Sequence, residues 1–271
     1  MSVDVVVFGA GFTGGAVCEA ALGRGLSVLG VVRSEASAAH LRARGIEATT
    51  DTCEQVARER VDARSHAVVT FPAATPEERA FAPLLVSARA VSYLSTTGVY
   101  GELDGVIDDA TPLPPELSAK YSAIVAAEQA FRAVGGAVLR SPGIYGPERG
   151  VHQRLRRGEL KLSGDGSRYG SRIHVEDLAA LLLASAQAPG ETFVVGDLEP
   201  CRQIDMVRWL CQRLQLPVPD SAPLEHVHET LRRSRRVDGS RALARLGVTL
   251  RYPSYRSMFE RRATAPEVPS P

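Results

Sequence analysis

Three glycines, Gly9, Gly11 and Gly14, stand in G-x-G-x-x-G spacing, with Phe12 and Thr13 between the last two. Residues without side chains let the backbone approach a pyrophosphate, and a helix that starts there turns its amide groups toward negative charge. The next pair with chemical meaning is Arg33 and Ser34, Arg33 lying 19 residues past Gly14. An acidic residue at this point would bind the ribose of NAD. A guanidinium suits bidentate binding of a ribose 2′-phosphate instead, with the Ser34 hydroxyl as a second donor. The spacing therefore predicts NADP(H), against the alternative that Arg33 is a solvated charge at a strand end. Asp51 is placed either to accept from an adenine amine or to cap a helix. Thr70, Phe71 and Pro72 follow a buried run and are expected to line the cofactor.

These residues need elements to hold them. Residues 3–8 are an apolar, β-branched run punctuated only by Asp4, suited to a strand buried on both faces of a parallel sheet. Helical periodicity over 13–22 ends at Gly23 and Gly25, and a second apolar run at 27–32 completes a βαβ unit around the glycines. Runs at 46–48, 67–70, 91–94, 137–139 and 193–195 read as further strands, and 77–88, 118–134 and 175–188 as helices. The alternation predicts an α/β fold, a Rossmann doubly wound parallel sheet with a small C-terminal substrate lobe. The expected division is 1–145 for the NADP-binding domain with 173–195 returning to it, 146–263 for the lobe, and 264–271 for a flexible tail. Inside the lobe lie a basic helical stretch at 152–157, a turn at 164–167, an amphipathic helix at 204–215 and a linker at 217–223.

Composition narrows the class. The chain has 271 residues, of which 44% are hydrophobic and 23% charged, and a net charge of +1 creates no field toward nucleic acid or an anionic membrane. A small-molecule substrate is expected, with neither nucleic acid nor membrane as partner; a homodimer stays open. Cys18, Cys53, Cys201 and Cys211 lack CxxC spacing and read as reduced thiols. With no signal-like or membrane-spanning run, the expected location is cytoplasmic. Glu225-His226-Val227-His228-Glu229 could offer two histidines to a metal, but no third ligand cluster supports it and none is expected. Arg232, Arg233, Arg235 and Arg236 read as a solvated face, with contact to an anionic substrate as the alternative. His174 reads as a hydrogen-bonded interior histidine, with a catalytic base as the alternative.

The glycine loop, Ser95-Thr96-Thr97-Gly98-Val99-Tyr100-Gly101, Leu139-Arg140-Ser141-Pro142-Gly143-Ile144-Tyr145-Gly146-Pro147 and Arg172-Ile173-His174-Val175-Glu176-Asp177 together resemble the NAD-dependent epimerase/dehydratase family, the extended short-chain dehydrogenases. The resemblance covers about residues 3–258. It implies that Thr96 polarises a substrate oxygen, with Ser95 beside it at the cofactor; a plain turn cap is the alternative for Thr96. It also implies that Pro142 and Ile144 pack against the nicotinamide ring, and that Tyr145, Gly146 and Pro147 border nicotinamide and substrate. Thr97 and Gly98 stand where the family's sugar 4,6-dehydratases carry Asp-Glu, which disfavours that chemistry.

The family's Tyr-x-x-x-Lys pair is missing. The lysines are Lys120 and Lys161, and four residues before them stand Glu116 and Arg157. Anchoring the helix on Ala127-Glu128 puts Lys120 at the tyrosine position and Ile124 at the lysine position. Tyr121 is adjacent, yet one residue along a helix turns a side chain by about 100°, off the site unless the helix shifts. Tyr121, Lys120 and a water are the candidate acids. Such losses, with the G-x-G-x-x-G loop, resemble the atypical short-chain dehydrogenases. The expected activity is an NADP(H)-dependent oxidoreductase acting on a small carbonyl or hydroxyl compound, sugar-like ones included. The alternatives are a non-catalytic NADP(H)-binding sensor or scaffold, and a cofactor-retaining epimerase.

Overall fold

Short, mostly apolar strands must be covered on both faces, and this chain covers them by laying helices on each side of a parallel sheet. The computed structural model describes residues 3–227 and 232–264. Strands β1 (Val5–Phe8), β2 (Val28–Val31) and β3 (Glu47–Thr49) alternate with helices α1 (Phe12–Leu22), α2 (Glu35–Arg42) and α3 (Cys53–Arg60), and β4 (His66–Val69) follows. Next come the short α4 (Pro76–Arg79), β5 (Ala90–Thr96), β6 (Gly105–Ile107), α5 (Ala119–Arg132), β7 (Ala137–Ser141) and β8 (Gly143–Tyr145). The chain continues through α6 (Val151–Arg156), β9 (Leu162–Ser163), β10 (Tyr169–Gly170), β11 (Arg172–His174), α7 (Val175–Ala184) and β12 (Thr192–Val194). It closes with β13 (Cys201–Arg202), α8 (Gln203–Leu214), β14 (Ser221–Ala222), β15 (Arg235–Val237), α9 (Ser240–Leu246) and α10 (Ser257–Thr264).

Seven strands form the central sheet in the order β12-β7-β5-β4-β1-β2-β3, and every pairing in it is parallel. The direction of winding reverses between β1 and β4, so a crevice opens beyond the carboxyl ends of those strands, where this architecture takes its ligands. Helices α1 and α7 cover one face, placing Val17, Leu178 and Leu182 against Val7 and Val68. Helices α3 and α5 cover the other, placing Val56 and Phe131 with Val6 and Tyr93. The small lobe has a separate core that includes Leu155, Leu160, Met206, Leu210 and Tyr255. No helix among the described residues is long and apolar enough to cross a membrane.

Several boundaries differ from the periodicity. Residues 77–88 are not one helix: α4 stops at Arg79 and a 3-10 turn takes over at Ala82–Ser87, because Pro83 has no amide to donate to an α-helical ladder. Strand β5 runs through Thr96, bringing Ser95 and Thr96 into the sheet. Ser221 and Ala222, inside the expected linker, pair with β9. Helix α9 packs with the α1 and α7 layer through Ala242 and Leu246, not with the lobe core. The tail at 265–271 lies outside the described residues.

One buried polar cluster ties the sheet to α5. Glu128 accepts from Arg140 Nη2 at 2.7 Å and Nε at 3.0 Å, and from the Ser95 hydroxyl at 2.5 Å. Arg140 also donates to the Tyr100 hydroxyl at 3.1 Å. The ion pair is well enclosed, its two side chains being 12% and 4% exposed. Removing one member of such a pair leaves an uncompensated charge, so Glu128→Ala should cost about 3–5 kcal/mol of stability, read by urea unfolding. Loss of under 1 kcal/mol would contradict a structural role for the pair.

Asp197 is a second buried acid. Burial pushes its pKa from 3.8 up to about 7, and one of its carboxylate oxygens has no hydrogen-bond partner. A raised pKa in the folded state means that the neutral acid is favoured there. The stability it contributes is complete below pH 3.8 and is lost as pH rises through about 7. The expected result is that the wild-type protein loses stability across that window while Asp197→Asn loses much less. Parallel pH profiles of thermal unfolding for the two proteins would contradict the assignment.

Candidate functional site

Helix α1 starts at the glycine loop, with Gly11 as its N-cap and no side chain serving as cap. Its first-turn amides therefore have no partner within the helix and point at whatever lies beyond the loop. A Cβ on Gly14 would fall 2.5 Å from the Gly9 carbonyl oxygen and 2.9 Å from Thr70 Oγ1, so only glycine lets α1 sit this close to the sheet. At Gly11 the nearest heavy atom to such a Cβ is 4.0 Å away, which leaves open space for a ligand against the backbone. The Thr70 hydroxyl donates to the Gly9 carbonyl at 2.7 Å and so braces the loop. Phe12 is half-buried and Thr13 buried; Arg149, which the motif does not reveal, holds its guanidinium 5.2 Å above the Phe12 ring. Phe71 stacks on Phe81, and the exposed Pro72 accepts from the Tyr93 hydroxyl through its carbonyl. The loop thus fits a dinucleotide pyrophosphate in donor chemistry and in space.

Arg33 and Ser34 follow β2 at the same end of the sheet. Arg33 is exposed and makes no hydrogen bond or ion pair among the described residues. Ser34 caps α2, accepting from the Ser37 amide at 3.3 Å. Asp51 is not a cap: Thr52 caps α3 by accepting from the Gln55 amide at 3.2 Å, while the exposed Asp51 carboxylate accepts from the Thr49 hydroxyl at 2.5 Å.

At the end of β5, Thr96 is half-buried and its oxygen accepts from the Gly98 amide at 3.0 Å. It caps the turn, and its own hydroxyl proton is still available to donate. Ser95 points the other way, as alternation along a strand requires, and donates to Glu128. Its hydroxyl is committed to the interior, so the Ser95 side chain does not face the crevice.

Tyr121 differs from the helical-wheel expectation. A Cβ on Gly98 would lie 2.6 Å from its ring and 3.0 Å from its hydroxyl oxygen, so the tyrosine lies directly on the turn that Thr96 caps. The missing side chain at Gly98 is what admits it. Lys120 is exposed, its ammonium 5.1 Å from the centroid of the Tyr121 ring. Arg235 also departs from expectation. Rather than lying on a solvated face, it is half-buried and donates to the carbonyls of Leu103 at 2.6 Å, Thr97 at 2.9 Å and Gly101. Burial pulls its pKa below the usual value, and its attraction to nearby Tyr121 opposes that. Sequence offered no signal for this contact, because the arginine sits in a run of four.

Beyond β7, Pro142 and Ile144 are half-buried. Ile144 and Tyr145 form one wall of a cavity of about 220 Å3 whose other walls include Met206, Leu210, Met258 and Phe259 of the small lobe. His174 does not line it. Its ring is fully buried, stacks on Tyr252 at 3.6 Å and accepts from the Glu176 amide at 3.3 Å, while burial holds its pKa near 4. It is a neutral structural histidine. Among the described residues no cluster could hold a metal, and His228 and Glu229 lie outside them.

A family model for NAD dependent epimerase/dehydratase proteins matches residues 5–196. Among solved structures, a functionally unknown conserved protein from Silicibacter pomeroyi DSS is 30% identical, with 97% of this chain and 99% of that one covered at a TM-score of 0.81. The Thermotoga maritima UDP-glucose 4-epimerase, solved with UDP-glucose, is 20% identical over 97% of this chain and 99% of its own at a TM-score of 0.73. The human epimerase family protein SDR39U1, solved with NADPH, is 18% identical over 96% of this chain and 98% of its own at a TM-score of 0.75. No curated protein matches the sequence. With most of its length matched, and the glycine loop and β5 turn in place, the chain belongs to the NAD-dependent epimerase/dehydratase family.

Proposed function

We propose that this protein is an NADP(H)-dependent oxidoreductase of the atypical short-chain dehydrogenase type, acting on a small carbonyl or hydroxyl compound. The observation that carries the reading is the convergence of two hydroxyls, those of Thr96 and Tyr121, on the turn at Gly98. A bound nicotinamide would exchange a hydride with the substrate carbon. Thr96 donates its hydroxyl proton as a hydrogen bond to the substrate oxygen and holds it in place. Tyr121 gives that oxygen a proton during reduction and takes it back during oxidation. The Arg235 guanidinium, fixed by three carbonyls, favours the negative charge left on the phenol oxygen, as the family's absent lysine would.

Preference for the 2′-phosphate rests on Arg33, exposed and unengaged at the strand end where NAD binders place an acid. Structural neighbours were solved with NAD or with NADPH, so the choice between the two rests on Arg33 alone. Four free thiols accord with a cytoplasmic location.

Arg33→Ala should weaken NADPH binding about tenfold or more and leave NADH binding unchanged, measured by cofactor fluorescence. Equal losses for the two cofactors would remove the preference. Screened with NADPH against aldehydes and ketones, the protein should consume cofactor. Thr96→Ala and Tyr121→Phe should each lower kcat by about 100-fold or more with NADPH affinity intact. Tight NADPH binding without consumption across a broad panel would replace this reading with the sensor or scaffold one.

A further inference from the structure

The cavity beside β8 has an uneven chemistry. Its charged lining residues are Arg154, Arg168, Arg172 and Arg233, and no carboxylate lines it among the described residues. Three of these arginines are engaged. Arg172 donates to the Gly170 carbonyl at 3.0 Å and to Cys201 Sγ at 3.3 Å, Arg154 donates to the Glu159 carbonyl at 3.2 Å, and Arg233 pairs with Glu102. The Arg168 side chain has no hydrogen bond or ion pair among the described residues; its charge acts on the exposed Asp165 across the turn.

Ser163 also lines the cavity, is 2% exposed, and its hydroxyl oxygen has no partner. An unpaired hydroxyl at such depth is costly unless a ligand or water meets it. Gln203 holds the two residues together, accepting from the Ser163 amide at 2.7 Å and donating its own amide to the Arg168 carbonyl at 2.9 Å. The far wall is apolar, made of Leu160, Met206, Leu210, Met258 and Phe259.

From this we infer that the cavity takes a small amphiphilic carboxylate, its anionic end on Arg168 and Ser163 and its apolar chain against Met206, Leu210 and Met258. One free guanidinium and one hydroxyl match the two oxygens of a carboxylate; a phosphate dianion would call for more donors. Size supports a small occupant, since 220 Å3 is below the range of about 300–1,000 Å3 typical of pockets for drug-sized ligands. The inference rests on the oxidoreductase reading only in making this occupant the substrate: a keto acid or hydroxy acid with an apolar chain.

Hexanoate and 1-hexanol, equal in chain length and different in charge, are titrated into the full chain by calorimetry, with and without NADPH. Hexanoate should bind with a roughly millimolar Kd and hexanol at least tenfold more weakly. Arg168→Gln should weaken hexanoate about tenfold, and Ser163→Ala should weaken it less, while thermal unfolding and NADPH fluorescence stay at wild-type values. Thr96→Ala should leave hexanoate binding unchanged, so loss of turnover and loss of the carboxylate site are read separately. Equal affinity for hexanol, no hexanoate binding, or an unaltered Arg168→Gln variant would overturn the assignment. So would UDP-glucose displacing hexanoate at a lower concentration than hexanoate itself requires.

Discussion

The Glu128 carboxylate is the point from which the site takes its geometry. It is enclosed between α5 and the sheet, where an unpaired charge could not stand, and it must therefore hold Arg140 and Ser95 at fixed distances. Arg140 in turn reaches the Tyr100 hydroxyl, so the turn after β5 is pinned at its far end. Thr96 lies between these anchors, one residue past Ser95 and on the opposite face. The same carboxylate sets the depth of α5, and with it the closeness of Tyr121 to Gly98. A buried ion pair contributes little net stability compared with a packed apolar substitute; what this one contributes is position.

The second lobe is fastened to the sheet by polar contacts of the same kind. Asp177, at the start of α7, accepts from the amides of Arg251 at 2.7 Å and Tyr252 at 2.9 Å, so the chain leaving α9 is tied to the helix that His174 caps. Tyr252 then stacks on His174, and Tyr145 meets the same ring edge-on. These contacts place the lobe's apolar core against β8. They bring β8 to one wall of the cavity, and residues of α6, α8, α10 and the 160–172 segment to the others.

The chain has no Tyr-x-x-x-Lys pair, and the cations near Tyr121 come from other places. In the family pattern a cation four residues along the same helix serves the tyrosine, a local arrangement. Here Lys120 stands over the Tyr121 ring, and a second cation is Arg235, from a strand that pairs with β6, which reaches the Thr97 carbonyl across 138 residues of sequence. Because the guanidinium is held by backbone carbonyls, its position does not depend on the helix at all. Charge near the phenol is a requirement of electrostatics, and it can be met from any direction.

Much of the fold was legible from residue order because its determinants are local. Apolar four-residue runs, a glycine loop between strand and helix, and a basic residue at the end of the second strand each act within a few residues. From them follow the parallel sheet, the crevice and the place where a dinucleotide lies. The absence of a Tyr-x-x-x-Lys pair was equally plain, since two lysines can be checked by eye. Helix register could be read only as far as rotation about an axis. That Tyr121 reaches the site depends on how closely α5 approaches Gly98, a distance set by packing between layers. The inward turn of Ser95, the burial of Arg235 and the arginine-lined cavity are likewise contacts between residues far apart in sequence. Their energies come from desolvation and from partners that only the folded chain brings together.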